Sequence, residues 1–331
     1  MPEPTFTDLL PADFEISALR RDARDGLAAP PRTLPPRWFY DKAGSELFEQ
    51  ITELPEYYPT RTERDILTRN AAQIIATADP DVLVELGSGS SQKTTLLLDA
   101  LLARRAGAGS TDGAGARYVA VDVSEDALRG AASALAVRYP TLAIDLLRAD
   151  FTDHLDRLPA GERRTVAFLG GTIGNFEPGP RARFLAGLRS VLSPGEHLLL
   201  GADLVKPESV LVPAYDDAAG VTAAFNRNVL QVLNARLGAD AVPEDFDHVA
   251  LWNAEQEWIE MRLRARRPLV LTVAGLDLVV PLERGEDVLT EISAKFRPGP
   301  LAAELRAAGF EQAGWWTDDR DWFSLSLWRA V

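Results

Sequence analysis

Glycines, acids and aromatic residues gather at four points of this chain where a strand-like run ends, and small-molecule chemistry belongs at such points. Val82-Leu83-Val84-Glu85-Leu86 is a short apolar run that passes into Gly87-Ser88-Gly89-Ser90-Ser91 and then into a helical pattern. A glycine turn between a buried strand and a helix opens the nucleotide-type site of a doubly wound α/β sheet. The third glycine of the dinucleotide fingerprint is absent, because Ser90 and Ser91 follow Gly89. A dinucleotide needs close backbone approach to its pyrophosphate, whereas S-adenosylmethionine has no phosphate. Glu85, just ahead of the turn, is expected to suit a cationic sulfonium and ammonium better than phosphates. Asp122 closes the second run, 117–122, where an acid can accept from two ribose hydroxyls. It lies further from Gly87 than the usual ~20 residues, and the Gly/Ala-rich insertion 106–116 accounts for the excess. At the third point, Asp150 can accept from an adenine amino group and Phe151 can pack its ring on the base. The fourth, Gly170-Gly171-Thr172-Ile173-Gly174-Asn175-Phe176, lets backbone approach a substrate and offers Asn175 as donor and acceptor.

The elements that must position these residues alternate in the βα manner. Strands are expected at 82–86, 117–122, 142–148, 165–170 and 197–204, with helices at 92–104, 124–138 and 179–192. Helical patterns also occupy 14–29, 44–52, 60–78 and 299–308. The proline-rich stretch 29–37 reads as an extended connector. After Val205 the pattern changes to a long helical region, 214–237, and then to antiparallel strands over 249–283. An aromatic hairpin from Trp315-Trp316 to Trp328 closes the chain. The expected fold is α/β: a Rossmann-like methyltransferase core, 62–204 plus 296–331, that binds S-adenosylmethionine. A second, smaller α+β domain, 10–61 plus 205–295, is expected to bind the substrate.

Composition narrows the partners. A net charge of −14 opposes a nucleic-acid surface, which needs an excess of Lys and Arg. The run Arg262-Leu263-Arg264-Ala265-Arg266-Arg267 reads as a solvated face or strand edge. With no cysteine there is no disulfide or thiolate site, and the three histidines lack metal-ligand spacing, so no metal is expected. No apolar run reaches the ~20 residues of a membrane span, and residues 1–13 do not read as a signal peptide. A cytoplasmic enzyme, acting as a monomer, is expected.

Five segments, 87–94, 54–61, 171–175, 214–228 and Thr290-Glu291-Ile292-Ser293-Ala294-Lys295-Phe296, together resemble the histidine Nα-methyltransferase family. The resemblance runs from about Leu19 to the C-terminus. It implies trimethylation of the α-amine of L-histidine by S-adenosylmethionine. The products would be hercynine, at the first step of ergothioneine biosynthesis, and S-adenosylhomocysteine. The family pattern implies that Gly87, Lys93 and Tyr40 surround the methionine part of the cofactor, Asp122 the ribose, and Asp150 with Phe151 the adenine. Asn175 and Tyr215 would hold the substrate carboxylate, with Asn175 and Tyr40 as the catalytic residues. Tyr57, Glu291 and Ser293 would read the imidazole of histidine and of its mono- and dimethyl intermediates.

Without the resemblance, Glu291 and Ser293 read as solvent-facing strand residues, Met261 as core, and Tyr215 as the start of a helix. The chain departs from the family pattern at Gly171, where Ser is expected, at Ala294, where Cys is expected, and at Phe176, where an aliphatic residue is equally expected. A cofactor-binding subunit without activity would lack Asn175, Tyr215 and Glu291. A nicotinamide oxidoreductase would need the third glycine and a Tyr-x-x-x-Lys or His near the fourth strand. The closer alternative is a related methyltransferase acting on another amino acid or a small amine.

Overall fold

The computed structural model describes residues 3–89, 91, 93–107, 115–160 and 163–331. Ser90 and Gln92 of the glycine turn, and 108–114 of the Gly/Ala insertion, lie outside the described residues. In chain order the elements are β1 (Thr5–Asp8), α1 (Phe14–Leu27), β2 (Arg32–Thr33), α2 (Lys42–Glu53), α3 (Tyr58–Ala78), β3 (Val82–Leu86) and α4 (Thr94–Gly107). Next come β4 (Arg117–Asp122), α5 (Glu125–Arg138), β5 (Ala143–Arg148), β6 (Arg164–Phe168), α6 (Pro178–Val191) and β7 (His197–Asp203). The chain continues through α7 (Glu208–Leu211), α8 (Val221–Leu237), β8 (Phe246–Asn253), β9 (Trp258–Ala265), β10 (Leu269–Val273) and β11 (Leu278–Leu282). It ends with β12 (Asp287–Ala294), α9 (Pro298–Ala307), β13 (Phe310–Thr317) and β14 (Phe323–Ala330). Two compact units result: Met1–Leu10 with Thr62–Leu204 and Phe296–Val331, and Pro11–Arg61 with Val205–Lys295.

The first unit holds an eight-stranded sheet in the order β1-β5-β4-β3-β6-β7-β14-β13. Strands β1 to β7 of that sheet run parallel, and β14 lies antiparallel to β7 and to β13. β3 is buried along its whole length, as a parallel strand covered on both faces must be. It pairs with β4 on one side and β6 on the other. The chain order therefore reverses beside β3, and such a switch point opens a crevice at the carboxyl ends of the strands. Leu97, Leu98 and Leu101 of α4 and Leu128 of α5 pack with Leu83, Tyr118 and Ala120 in one core. α5 starts at Ser124, whose hydroxyl accepts from Ala127 N at 3.2 Å. α6 and α9 each open on a proline, which suits a helix start. β1 has no apolar alternation to announce it. Its four residues become a strand only by pairing with Asp145 to Arg148 of β5.

The second unit combines α1, α2 and α8 with a four-stranded sheet, β2-β12-β9-β8, and the β10–β11 ribbon. The helical region expected from residue 214 begins only at Val221. Gly220 there is left-handed, and the Asp217 carboxylate accepts from Val221 N at 3.0 Å and Thr222 N at 2.7 Å. A cap of that kind satisfies the first orphan amides and fixes the start. The arginine run is neutralised residue by residue: Arg262 and Arg264 on Asp287, Arg266 on Asp247, and Arg267 on Asp245. Among the described residues no helix is long and apolar enough to cross a membrane.

Candidate active site

In the first unit, Gly87 leaves β3 with φ 67°, and a Cβ there would stand 3.6 Å from the Phe151 ring. Glycine suits that left-handed conformation and keeps the backbone bare beside the ring. Asp122, half-buried at the end of β4, ties the turn to its neighbour strand: it accepts from Gly89 N at 3.0 Å and Ser124 N at 2.9 Å. Burial pushes its pKa up, against the lowering effect of those amides. Asp150 is buried after β5 and accepts from the backbone and hydroxyl of Thr152, at 2.9 and 2.6 Å. The Phe151 ring meets Phe168 at 5.4 Å and Phe184 at 5.9 Å, so its orientation is set by an aromatic cluster.

After β6, Gly170 and Gly171 take φ 75° and 70°, a left-handed conformation that suits glycine at Gly171, where the sequence reading expects serine. The single 3-10 turn Thr172–Asn175 follows. Phe176 stacks on Phe184 at 5.0 Å, and its carbonyl accepts from Arg181, so Phe176 anchors the loop that carries Asn175. Asn175 is half-buried, and no hydrogen bond of its side chain is found among the described residues.

Glu85 does not face a ligand. Its carboxyl turns inward behind the glycine turn, accepting from Thr94 Oγ1 at 2.6 Å and from the Tyr118 hydroxyl. Burial pushes it up to about 7, so near neutrality much of it is uncharged. A different acid, Glu63 on α3, is fully buried at the site: it accepts from Gly170 N at 2.8 and 3.1 Å and pairs with Lys93.

In the second unit, aromatic rings link Tyr40 to Phe48 (5.5 Å) and Phe225 (5.4 Å), Phe48 to Tyr57 (6.2 Å), and Tyr57 to Tyr215 (6.4 Å). The Tyr215 hydroxyl lies 2.8 Å from Ser293 Oγ, and Lys295 Nζ lies 2.8 Å from each. Ser293 is therefore buried and bonded rather than solvent-facing. Tyr215 sits just after the 3-10 turn Val212–Ala214 and not at a helix start. His248 fixes it there, donating from Nε2 to the Tyr215 carbonyl at 2.8 Å. Asn226 sets that tautomer by donating to His248 Nδ1 at 2.8 Å, and burial lowers the pKa of His248. Glu291 is half-buried on β12 directly opposite Met261 of β9. Opposed residues of an antiparallel pair share a face, which puts the buried Met261 beside Glu291.

Residues 19–330 match the family described as histidine-specific, SAM-dependent methyltransferases. The chain belongs to this family. It is 53% identical over 327 residues to a histidine N-alpha-methyltransferase of Mycolicibacterium smegmatis, covering 98% of each chain. A histidine N-alpha-methyltransferase of Mycobacterium tuberculosis is 51% identical over 310 residues, 94% of each. The ergothioneine biosynthesis protein 1 of Neurospora crassa is 30% identical over 310 residues, 92% of this chain and 33% of that one.

For a methyltransferase of this family, S-adenosylmethionine is the methyl donor, and the first unit suits it. The turn is bare at Gly87, the Phe151 ring stands against it, and Asp122 and Asp150 close the next two strands. Among the described residues no three His, Asp or Glu side chains are grouped to hold a metal ion. Sequence reading missed Glu63, Lys295, Asn226 and His248. Lys295 continues the two-residue period of Glu291 and Ser293, a signal that could have found it. Glu63 carries no comparable mark, since it is one charged residue among many in an amphipathic helix.

Proposed function

We propose that this methyltransferase transfers three methyl groups from S-adenosylmethionine to the α-amine of L-histidine, giving hercynine at the first step of ergothioneine biosynthesis. The similarity to two histidine N-alpha-methyltransferases over nearly their whole lengths carries the reading. Gly87, Lys93 and Tyr40 are assigned to the methionine part of the cofactor, Asp122 to the ribose, and Asp150 with Phe151 to the adenine. Asn175 and Tyr215 take the substrate carboxylate, and Tyr57, Glu291 and Ser293 take the imidazole.

When bound, the sulfonium supplies an electrophilic methyl for in-line displacement. The chain's own residues then have to position the acceptor, exclude water and leave the amine lone pair free. Anchoring the carboxylate fixes the adjacent amine, so Asn175 and Tyr215 orient the nucleophile. An imidazole has two nitrogens of different character, and telling it from other rings takes both an acceptor and a donor. Glu291 serves as the acceptor. As methyl groups accumulate, the amine becomes a fixed cation with no N–H to donate. The rings of Tyr40 and Tyr57 accommodate that cation at about 0.5–2 kcal/mol each.

Incubation with S-adenosylmethionine and each of the twenty amino acids, with mass detection, tests the proposal. The expected product is histidine carrying three added methyl groups. A better acceptor than histidine, or no trimethylated histidine, overturns it in favour of a related amine substrate.

A further inference from the structure

Among the described residues of the glycine turn, Gly87, Gly89 and Ser91 are left-handed, at φ 67°, 48° and 53°. The two glycines adopt that conformation without steric conflict, whereas the Cβ of a serine opposes it. Something has to hold Ser91 there. Its side chain is buried, and its hydroxyl lies 2.9 Å from the hydroxyl of Tyr118 on β4, which is itself fully buried. The Tyr118 hydroxyl donates in turn to Glu85, which also accepts at 2.6 Å from Thr94 at the start of α4. The hydrogens of this chain balance. Thr94 and Tyr118 each give theirs to the Glu85 carboxylate, and Ser91 gives its own to the Tyr118 oxygen. If Glu85 is protonated and donates to Tyr118, the phenol hydrogen turns to Ser91, so the bond persists in either state. The first half of the turn is held by its backbone: Gly87 N and Ser88 N donate to the Val121 carbonyl at 2.8 and 3.2 Å, and Gly89 N to Asp122 at 3.0 Å. At Ser91 the backbone amide donates within the turn, to Ser88 O at 2.9 Å, and the hydroxyl makes the link to β4.

We propose that Tyr118 is a positioning residue for cofactor binding: its hydroxyl holds Ser91 left-handed and so keeps the glycine turn in the shape that receives S-adenosylmethionine. Ser91 achieves with a side-chain bond what Gly87 and Gly89 achieve by having no side chain. The apparent affinity of a site falls with the fraction of molecules in the competent shape. Without the Tyr118 bond, Ser91 is drawn out of the left-handed well, and the cofactor has to restore it on binding. Once bound, the cofactor itself holds the turn, so the loss falls on affinity rather than on the transfer step. The inference rests on the assignment of the Gly87 turn to the cofactor and is independent of which amine accepts the methyl group.

Calorimetry with S-adenosylhomocysteine tests this on the full chain and on Tyr118→Phe, Ser91→Ala, Ser91→Gly and the two double variants, beside steady-state kinetics. Tyr118→Phe keeps the buried ring and loses the hydroxyl. Its Kd should rise about fivefold, as losing one hydrogen bond does, and the S-adenosylmethionine KM with it, while kcat and the histidine KM stay within about twofold. Ser91→Ala should weaken binding by the same factor, and adding it to Tyr118→Phe should change nothing further, because both remove one bond. Ser91→Gly should bind like wild type and should restore affinity to Tyr118→Phe, since glycine needs no support at positive φ. A tyrosine that only stabilised the fold would not regain cofactor affinity through Ser91→Gly. Wild-type affinity in Tyr118→Phe overturns the proposal. So do additive losses in Ser91→Ala and Tyr118→Phe, or a Tyr118→Phe/Ser91→Gly variant as weak as Tyr118→Phe alone. Undiminished S-adenosylhomocysteine binding by Gly87→Val instead overturns the placement of the cofactor at the turn.

Discussion

Glu85→Gln should stabilise the protein at alkaline pH and destabilise it at acid pH. Glu85 is buried under the glycine turn, and burial lifts its pKa from 4.5 to about 7 against the lowering effect of Thr94, Tyr118 and Lys93. Between those two values the folded state holds a proton that the unfolded chain has lost. Stability is then full below pH 4.5 and is lost as the pH rises through about 7. At ~1.4 kcal/mol per pH unit, ionised Glu85 costs the fold about 3 kcal/mol at pH 8. Glutamine removes that cost, because its carbonyl can still accept from Thr94 and Tyr118. Its new N–H₂ needs an acceptor in a buried site, at a cost of about 1 kcal/mol. The variant should therefore be about 1 kcal/mol less stable than wild type at pH 4 and about 2 kcal/mol more stable at pH 8. Urea unfolding of both proteins at the two pH values measures the swing, and other carboxylates common to both cancel. A difference that stays constant within ~0.5 kcal/mol would refute a raised Glu85 and place its carboxylate against a cation instead.

Glu63→Ala leaves Lys93 and the Gly170 amide without their shared carboxylate. A loss of about 3 kcal/mol is expected, the lower end of the range for breaking a buried pair because Lys93 keeps some exposure. Urea unfolding measures that loss, and weaker S-adenosylhomocysteine binding by calorimetry should accompany it; unchanged values for both would remove Glu63 from the site. Glu291→Ala should weaken histidine binding at least tenfold, about 1.4 kcal/mol, with cofactor affinity preserved. Equal loss of both in calorimetry would make Glu291 structural. His248 is neutral in the fold because burial lowers its pKa from 6.5, so its contribution is present above that value and is lost as the pH falls below it. Protonation of Nδ1 would break the bond from Asn226. His248→Gln should flatten the acid side of the unfolding profile, and an unchanged slope would discount the residue.

What the sequence determined by itself was the grammar of the first unit. An apolar run followed by glycines, and acids closing successive runs, are consequences of local periodicity and strand order. Phe151, Asp122 and Gly87 accordingly lie together where the pattern predicts a nucleotide-type ligand. The start of α8 was misread because Asp217 caps it from four residues upstream, a side-chain choice that periodicity does not contain. Glu85 was misread for a related reason. A strand residue's position is legible from alternation, but the side of the turn its carboxyl serves depends on Thr94 and Tyr118, which arrive from α4 and β4.

Only the tertiary structure decided which charges do the work of positioning. Glu63 meets Gly170 across 107 residues of sequence, and Tyr215 meets Lys295 across 80. No local pattern couples such positions, because each pair shares a buried environment only after the sheets form. Burial then fixes the chemistry. It holds Glu85 about half protonated near pH 7, lowers the pKa of His248, and ties Ser293 to Tyr215 and Lys295.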